Sequence, residues 1–253
     1  FFSQNIILIY FLYGLAFFIM GFAVLLESVR SSELKFARAL RPLAVFGLMH
    51  GIHEWGEMFE KVLALTQNYQ LTVDEHILRV MWLAGSFIAL LIFGTLMITA
   101  SSSTTTPPRR WVWLIPSTLT LIWIGGVPLL NPFVSTPHEW LILIDVWARY
   151  TLGIPAGIMA AIGFVQQQRA FREQGLTRFG RDMLWAAIAF GWYGIFGQIF
   201  TQRSVLFPST IINTELFSSL FGIPVQLFRA TMATVAAVFI IRSLRSFEVE
   251  RTR

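Results

Sequence analysis

The sequence predicts an all-α, polytopic membrane protein: a bundle of seven transmembrane helices with the N-terminus outside and the C-terminus cytoplasmic. Three observations predict it. Hydrophobic residues make up 55% of the 253-residue chain and charged residues 13%, about half the charged share of a typical soluble domain; the mean hydropathy is +0.65. Seven segments are long and apolar enough to cross a bilayer, which takes about 20 helical residues. The basic residues fall between those segments in the alternation that the positive-inside rule demands. A water-soluble fold of this size could not hide so much apolar side chain, and the same composition excludes disorder.

The first span is 5–27. No basic n-region or cleavage site precedes it, so it reads as a span and not as a signal peptide. The others are 40–65, 77–100, 111–130, 140–165, 183–200 and 216–241, and the second and fifth carry charges inside them. Backbone groups within lipid must be satisfied inside each segment, which makes these helices; the alternating ten-residue strands of a β-barrel are not seen. The Ser/Thr/Pro stretch 101–108 is a flexible inner loop, and 131–137 is an outer turn region. Gly191, Gly194 and Gly197 favour close helix packing in the sixth span. Pro155 and Pro224 are expected to kink the fifth and seventh. No internal repeat points to an inverted-repeat transporter.

The cations test the count. Arg30, Lys35, Arg38 and Arg41 fall after span one, Arg109 and Arg110 after span three, Arg169, Arg172, Arg178 and Arg181 after span five, and Arg242, Arg245, Arg251 and Arg253 after span seven. That places fourteen of nineteen on one side, against Lys61, Arg79 and Arg203 on the other, with Arg149 and Arg229 inside spans. Basic residues spread in this way do not form a nucleic-acid-binding patch, and no nucleic-acid partner is expected. With no cysteine, disulfides and thiolate chemistry are excluded.

Ionisable groups inside spans are functional candidates by default. The second span has the densest set, in Met49-His50-Gly51-Ile52-His53-Glu54-Trp55-Gly56-Glu57-Met58. At helical spacing His50, His53, Glu54 and Glu57 share an arc of about 100°. Three readings of this stripe are open: a divalent metal such as zinc or copper held by those four side chains, a hydrogen-bonded network locking helices together, or direct binding of an organic ligand. The order differs from the His-Glu-x-x-His pattern of metalloproteases. Arg229, placed near mid-depth, calls for a carboxylate partner, and Glu54 is the best match. Asp145 and Arg149 are spaced to pair within one helix. His138 and Glu139 sit at the outer mouth of the fifth span, where a helix-start role is expected, and His76 reads as interfacial.

A retinal pigment is excluded, since the only lysines, Lys35 and Lys61, lie at membrane edges. No phosphate loop, nucleophile elbow or paired-carboxylate arrangement stands outside the spans, and the loops are too short for a catalytic domain; the chain alone reads as a non-enzyme. The last helix continues through Ile240-Ile241-Arg242-Ser243-Leu244-Arg245-Ser246-Phe247-Glu248-Val249-Glu250 with no glycine or proline. Leu244, Phe247 and Arg251 fall on one face there, as at the start of a two-stranded coiled coil. Residues 1–241 are therefore the membrane domain and 242–253 the start of a cytoplasmic signalling helix. Beginning at Phe1 and stopping in a charged stretch, the sequence is expected to be a piece of a longer protein.

With that exit helix the chain resembles the seven-helix membrane-associated sensor regions that precede bacterial sensor histidine kinases and diguanylate cyclases. The matching residues are Tyr13-Gly14-Leu15-Ala16-Phe17-Phe18 with Leu26-Glu27; Phe46-Gly47 followed by His50-Gly51-Ile52-His53-Glu54-Trp55; Arg149-Tyr150 with Gly153-Ile154-Pro155; and Gly222-Ile223-Pro224-Val225-Gln226 with Arg229, then Arg242-Ser243-Leu244-Arg245-Ser246-Phe247-Glu248. The similarity covers nearly the whole chain. It implies a signal-input module in the bacterial inner membrane, homodimeric through its C-terminal helix, that takes a small ligand or metal and drives a kinase or cyclase. The ligand-site candidates are then His50, His53, Glu54, Trp55, Glu57, Asp145, Arg149, Tyr150 and Arg229. Competing readings are a small transporter, or a membrane subunit binding a metal, lipid or quinone.

Overall fold

A computed structural model describes residues 5–30, 35–100, 110–173 and 177–251. The loop 101–108, Arg109 and Arg253 lie outside the described residues, as do the side chains of Lys35, Arg38, Arg178, Phe247 and Arg251. The described residues are mostly helical and form no named strand, the longest non-helical segment being 200–213: α1 (Ile6–Arg30), α2 (Lys35–Gln67), α3 (Val73–Ala100), α4 (Arg110–Leu130), α5 (Pro137–Ala148), α6 (Ile154–Glu173), α7 (Thr177–Ile199), the short α8 (Thr214–Phe221) and α9 (Val225–Arg251). Five stretches are long and apolar enough to cross a membrane: Ile6–Val29, Val73–Ala100, Val112–Phe133, Pro137–Ala170 and Val225–Leu244. The polar stripe on α2 explains why that 33-residue helix does not read as apolar by composition.

Six rods close a ring, in the order α1, α2, α3, α5–α6, α7, α9 and back to α1, with α4 packed outside against α3 and α5. Only 11% of the apolar window of α4 is buried, against 44% to 61% for the other four spans, which places α4 on the periphery. The ring is filled by aromatic side chains, among them Tyr13, Phe17, Phe46, Phe87, Phe164, Phe190 and Tyr193, all 0% or 1% exposed. Glycines set the closest approaches. A Cβ on Gly47 of α2 would fall 2.7 Å from the Cα of Gly21 on α1, and one on Gly157 of α6 would strike the Cα of Gly194 on α7. Of the three glycines expected to do this in the sixth span, Gly194 does, Gly197 lies under the Arg229 side chain and Gly191 packs loosely.

Helix starts follow local chemistry. Thr136 and Glu139 form a capping box at α5, so Glu139 has the expected helix-start role. Thr72 and Glu75 cap α3 in the same way. The Tyr69 hydroxyl donates to the Glu75 carboxylate, and the bond raises its pKa above the usual phenol value.

The two prolines act differently from simple kinks. Pro155 has no N–H for the carbonyl of Thr151, and the turn before it, Arg149–Gly153, widens into a π-helix in which the Ile154 N–H reaches back to the Arg149 carbonyl. α5 and α6 thus form one rod with a wide turn at Arg149. The expected seventh span at 216–241 is corrected: Gly222 takes φ +68°, ends α8, and with Pro224 divides that stretch. α9 begins at Val225 and runs unbroken past residue 241 to Arg251. Leu244 packs into the bundle's own core, so it is not a free coiled-coil seam residue.

Candidate functional site

Near the end of the bundle where α1 starts and α2 finishes, the ring holds two polar layers. The inner one is centred on His50, which is fully buried. Its Nδ1 is 2.9 Å from the Ser86 hydroxyl and its Nε2 is 2.7 Å from the Tyr193 hydroxyl. Ser86 has one proton and gives it to the Leu83 carbonyl at 2.6 Å. Donor counting therefore assigns the His50 proton to Nδ1 and leaves Nε2 accepting from Tyr193. Tyr13 completes the chain by donating to Tyr193 at 3.4 Å. Rings of Phe17, Phe46 and Phe87 enclose the imidazole.

The outer layer surrounds a cavity of about 170 Å³. Every rod of the ring except α7 faces it, and the loop following α7 adds Thr201 and Gln202. Its walls carry four carboxylates (Glu54, Glu57, Glu60, Asp145) and four cations (Lys61, Arg79, Arg149, Arg229). Most of these charges are paired. Arg79 bridges Glu57 and Glu60, each at 2.8 Å. Arg149 binds Asp145 at 2.8 Å within the helix, as the spacing predicted, and its Nη1 donates to Gln198 at 3.1 Å. Lys61 lies over the Tyr10 ring, 5.4 Å from its centre, and the Tyr10 hydroxyl accepts from Gln226 at 3.2 Å.

Arg229 departs from expectation. No described ion pair joins it to Glu54; its Nε donates to the Gly197 carbonyl at 2.6 Å and its Nη2 to the Phe200 carbonyl at 3.0 Å. Because α9 begins only at Val225, Arg229 stands in its second turn and meets the C-terminal end of α7. Carbonyls there lack intrahelical partners and carry the negative end of the helix dipole, so a guanidinium satisfies them without a carboxylate.

Of the nine candidate residues, Glu54, Glu57, Asp145, Arg149 and Arg229 line the cavity, and His50, His53, Trp55 and Tyr150 do not. Trp55 points at α1, where its indole donates to the Phe11 carbonyl. Tyr150 ties the widened turn to the end of α7 through the Ile199 carbonyl at 3.1 Å. His53 is buried with its Nε2 3.8 Å from Glu57 and without a hydrogen bond. Among the described residues no group of three or more His, Asp or Glu side chains could hold a metal ion, so His50, His53, Glu54 and Glu57 do not form the expected ligand set. The reason is that Ser86 and Tyr193 take both His50 nitrogens.

Several cavity or network residues were not among the site candidates read from sequence: Tyr10, Glu60, Arg79, Tyr193 and Gln198, and also Tyr13 and Gln226, which figured only in the motifs of the resemblance. Gln198, a lone amide in an apolar helix, carried a legible signal; Arg79 read only as an outer-loop cation. His138, read as a helix-start residue, also reaches the cavity wall, as does His76. Comparison of the chain with protein-family models, curated proteins and solved structures gives no match.

Proposed function

We propose that this chain is a transmembrane signal-input module with seven spans, its N-terminus outside and its C-terminus in the cytoplasm of a bacterial cell. A small polar solute enters the outer cavity, and α9 carries the effect across the membrane to an output domain such as a histidine kinase or diguanylate cyclase. In this reading the chain performs no catalysis itself and pairs with a second copy through its C-terminal helix. The resemblance to membrane-associated sensor regions and the distribution of basic residues support it.

One observation carries the reading. α9 contributes Gln226 and Arg229 to the cavity from its first two turns, then continues without a break for 27 residues in all. A rigid helix anchored at a binding site transmits a shift at one end to the other. The polar lining, with Leu141 and Ile142 as its aliphatic members, favours a polar solute over a lipid or quinone. The packed aromatic layer around His50 closes the ring beneath the cavity, which weighs against a transport path.

The test uses paired spin labels on Leu121→Cys in α4 and Val238→Cys in α9, both lipid-facing positions in a cysteine-free chain. With the protein in nanodiscs, Glu54→Gln or Gln226→Ala should alter the distance distribution between the labels. Identical distributions in the parent and both variants would overturn the coupling.

A further inference from the structure

Two buried charges on the cavity wall have no partner of fixed opposite charge among the described residues. Glu54 is 3% exposed and Arg229 6%. His50 Nε2 lies 3.3 Å from the Glu54 carboxylate, and that nitrogen is the lone-pair side of the ring when Nδ1 keeps the proton for Ser86. On that assignment the imidazole is neutral and gives Glu54 no counter-charge. Arg229 gives Nε and Nη2 to backbone carbonyls and keeps Nη1 without a partner among the described residues. Both side chains border the same space, and no described ion pair joins them.

A buried charge without a counter-ion keeps part of its desolvation cost even where, as at Arg229, backbone carbonyls take two of its N–H groups, and a ligand group of opposite charge lowers what remains. The rest of the wall narrows what can supply it. Four carboxylates face four cations, so the cavity is neutral overall. A ligand with net charge would satisfy one of Glu54 and Arg229 and leave the other bare. A ligand bearing both signs satisfies both and keeps the balance. Size adds a limit: at about 170 Å³ the space is close to the ~150 Å³ that holds benzene, a molecule of about six heavy atoms.

We infer that the cavity binds a small net-neutral zwitterion of the amino-acid class, its ammonium at the Glu54 carboxylate and its carboxylate at the Arg229 guanidinium. The inference rests on the signal-input reading for its purpose but not for its chemistry. His138 and Gln202, lining residues that are also exposed, keep the cavity wall polar where it meets solvent.

The experiment is calorimetric titration of the full chain in nanodiscs at neutral pH with three small probes: L-alanine, which carries both charges; lactate, the same size, which carries only the carboxylate; and the smaller isopropylammonium, which carries only the cation. L-alanine should bind with a Kd below about 10 mM, and each single-charge analogue at least roughly tenfold more weakly. Glu54→Gln should weaken L-alanine at least roughly tenfold and leave lactate and L-alanine alike. Because the three probes are compared on the unaltered chain, the result does not depend on a variant folding. Lactate or isopropylammonium binding as tightly as L-alanine, or no L-alanine binding at that limit, overturns the zwitterion. If L-alanine fails while cavity substitutions still move the α9 label, the ligand class falls and the signal-input reading stands. If L-alanine binds and α9 does not move, the reverse holds.

Discussion

Removing one hydroxyl tests the inner layer. Tyr193→Phe takes the donor from His50 Nε2 at a fully buried site, and an unsatisfied buried acceptor costs about 1–3 kcal/mol. The unfolding midpoint in detergent should fall accordingly. His50→Phe should also destabilise, but the double variant should lose less than the sum, because the second change removes the group that the first left bare. Strict additivity would contradict the donor assignment. The same scale explains why the Arg229 partner was misjudged. Sequence shows side chains, and a buried arginine suggests a carboxylate; the groups it actually meets are the carbonyls of Gly197 and Phe200, which no residue letter marks. The i,i+4 pair Asp145–Arg149 was legible because both partners ride one helix at a fixed spacing.

Helix positions were read well where apolar length dominates and poorly where a local break intervenes. The Gly222–Pro224 break lies inside a stretch that is apolar on both sides, so hydropathy alone joined α8 to α9. Glycine roles separate by what lies opposite. Gly157→Ala would drive a Cβ into the α7 backbone at Gly194, and overpacking of this kind costs about 1–3 kcal/mol. Gly125→Ala on α4 meets nothing within 4 Å and should be neutral or slightly stabilising, since alanine is the better helix former by up to about 1 kcal/mol. Thermal unfolding of the two variants should therefore move in different directions. Equal losses would place α4 inside the bundle instead of on its periphery.

Over the whole molecule the decisive prediction is orientation. Gln70→Cys, between α2 and α3, and Glu173→Cys, at the end of α6, are exposed at opposite ends of the bundle and would each be the sole cysteine. A membrane-impermeant maleimide added to intact cells should label the first and spare the second; the opposite pattern would invert the proposed topology. By itself the sequence determined the all-α class, the membrane-spanning character and the candidate polar stripe, because apolar length and helical spacing are properties of consecutive residues. Only the tertiary structure decided which of those polar groups share a cavity. It kept His50 and Trp55 off its lining, brought Arg79 and Gln226 to its wall, and placed Glu54 and Arg229 there with no described ion pair between them. Such meetings depend on how far each helix is rotated and where it starts, and those are set by contacts between residues distant in the chain.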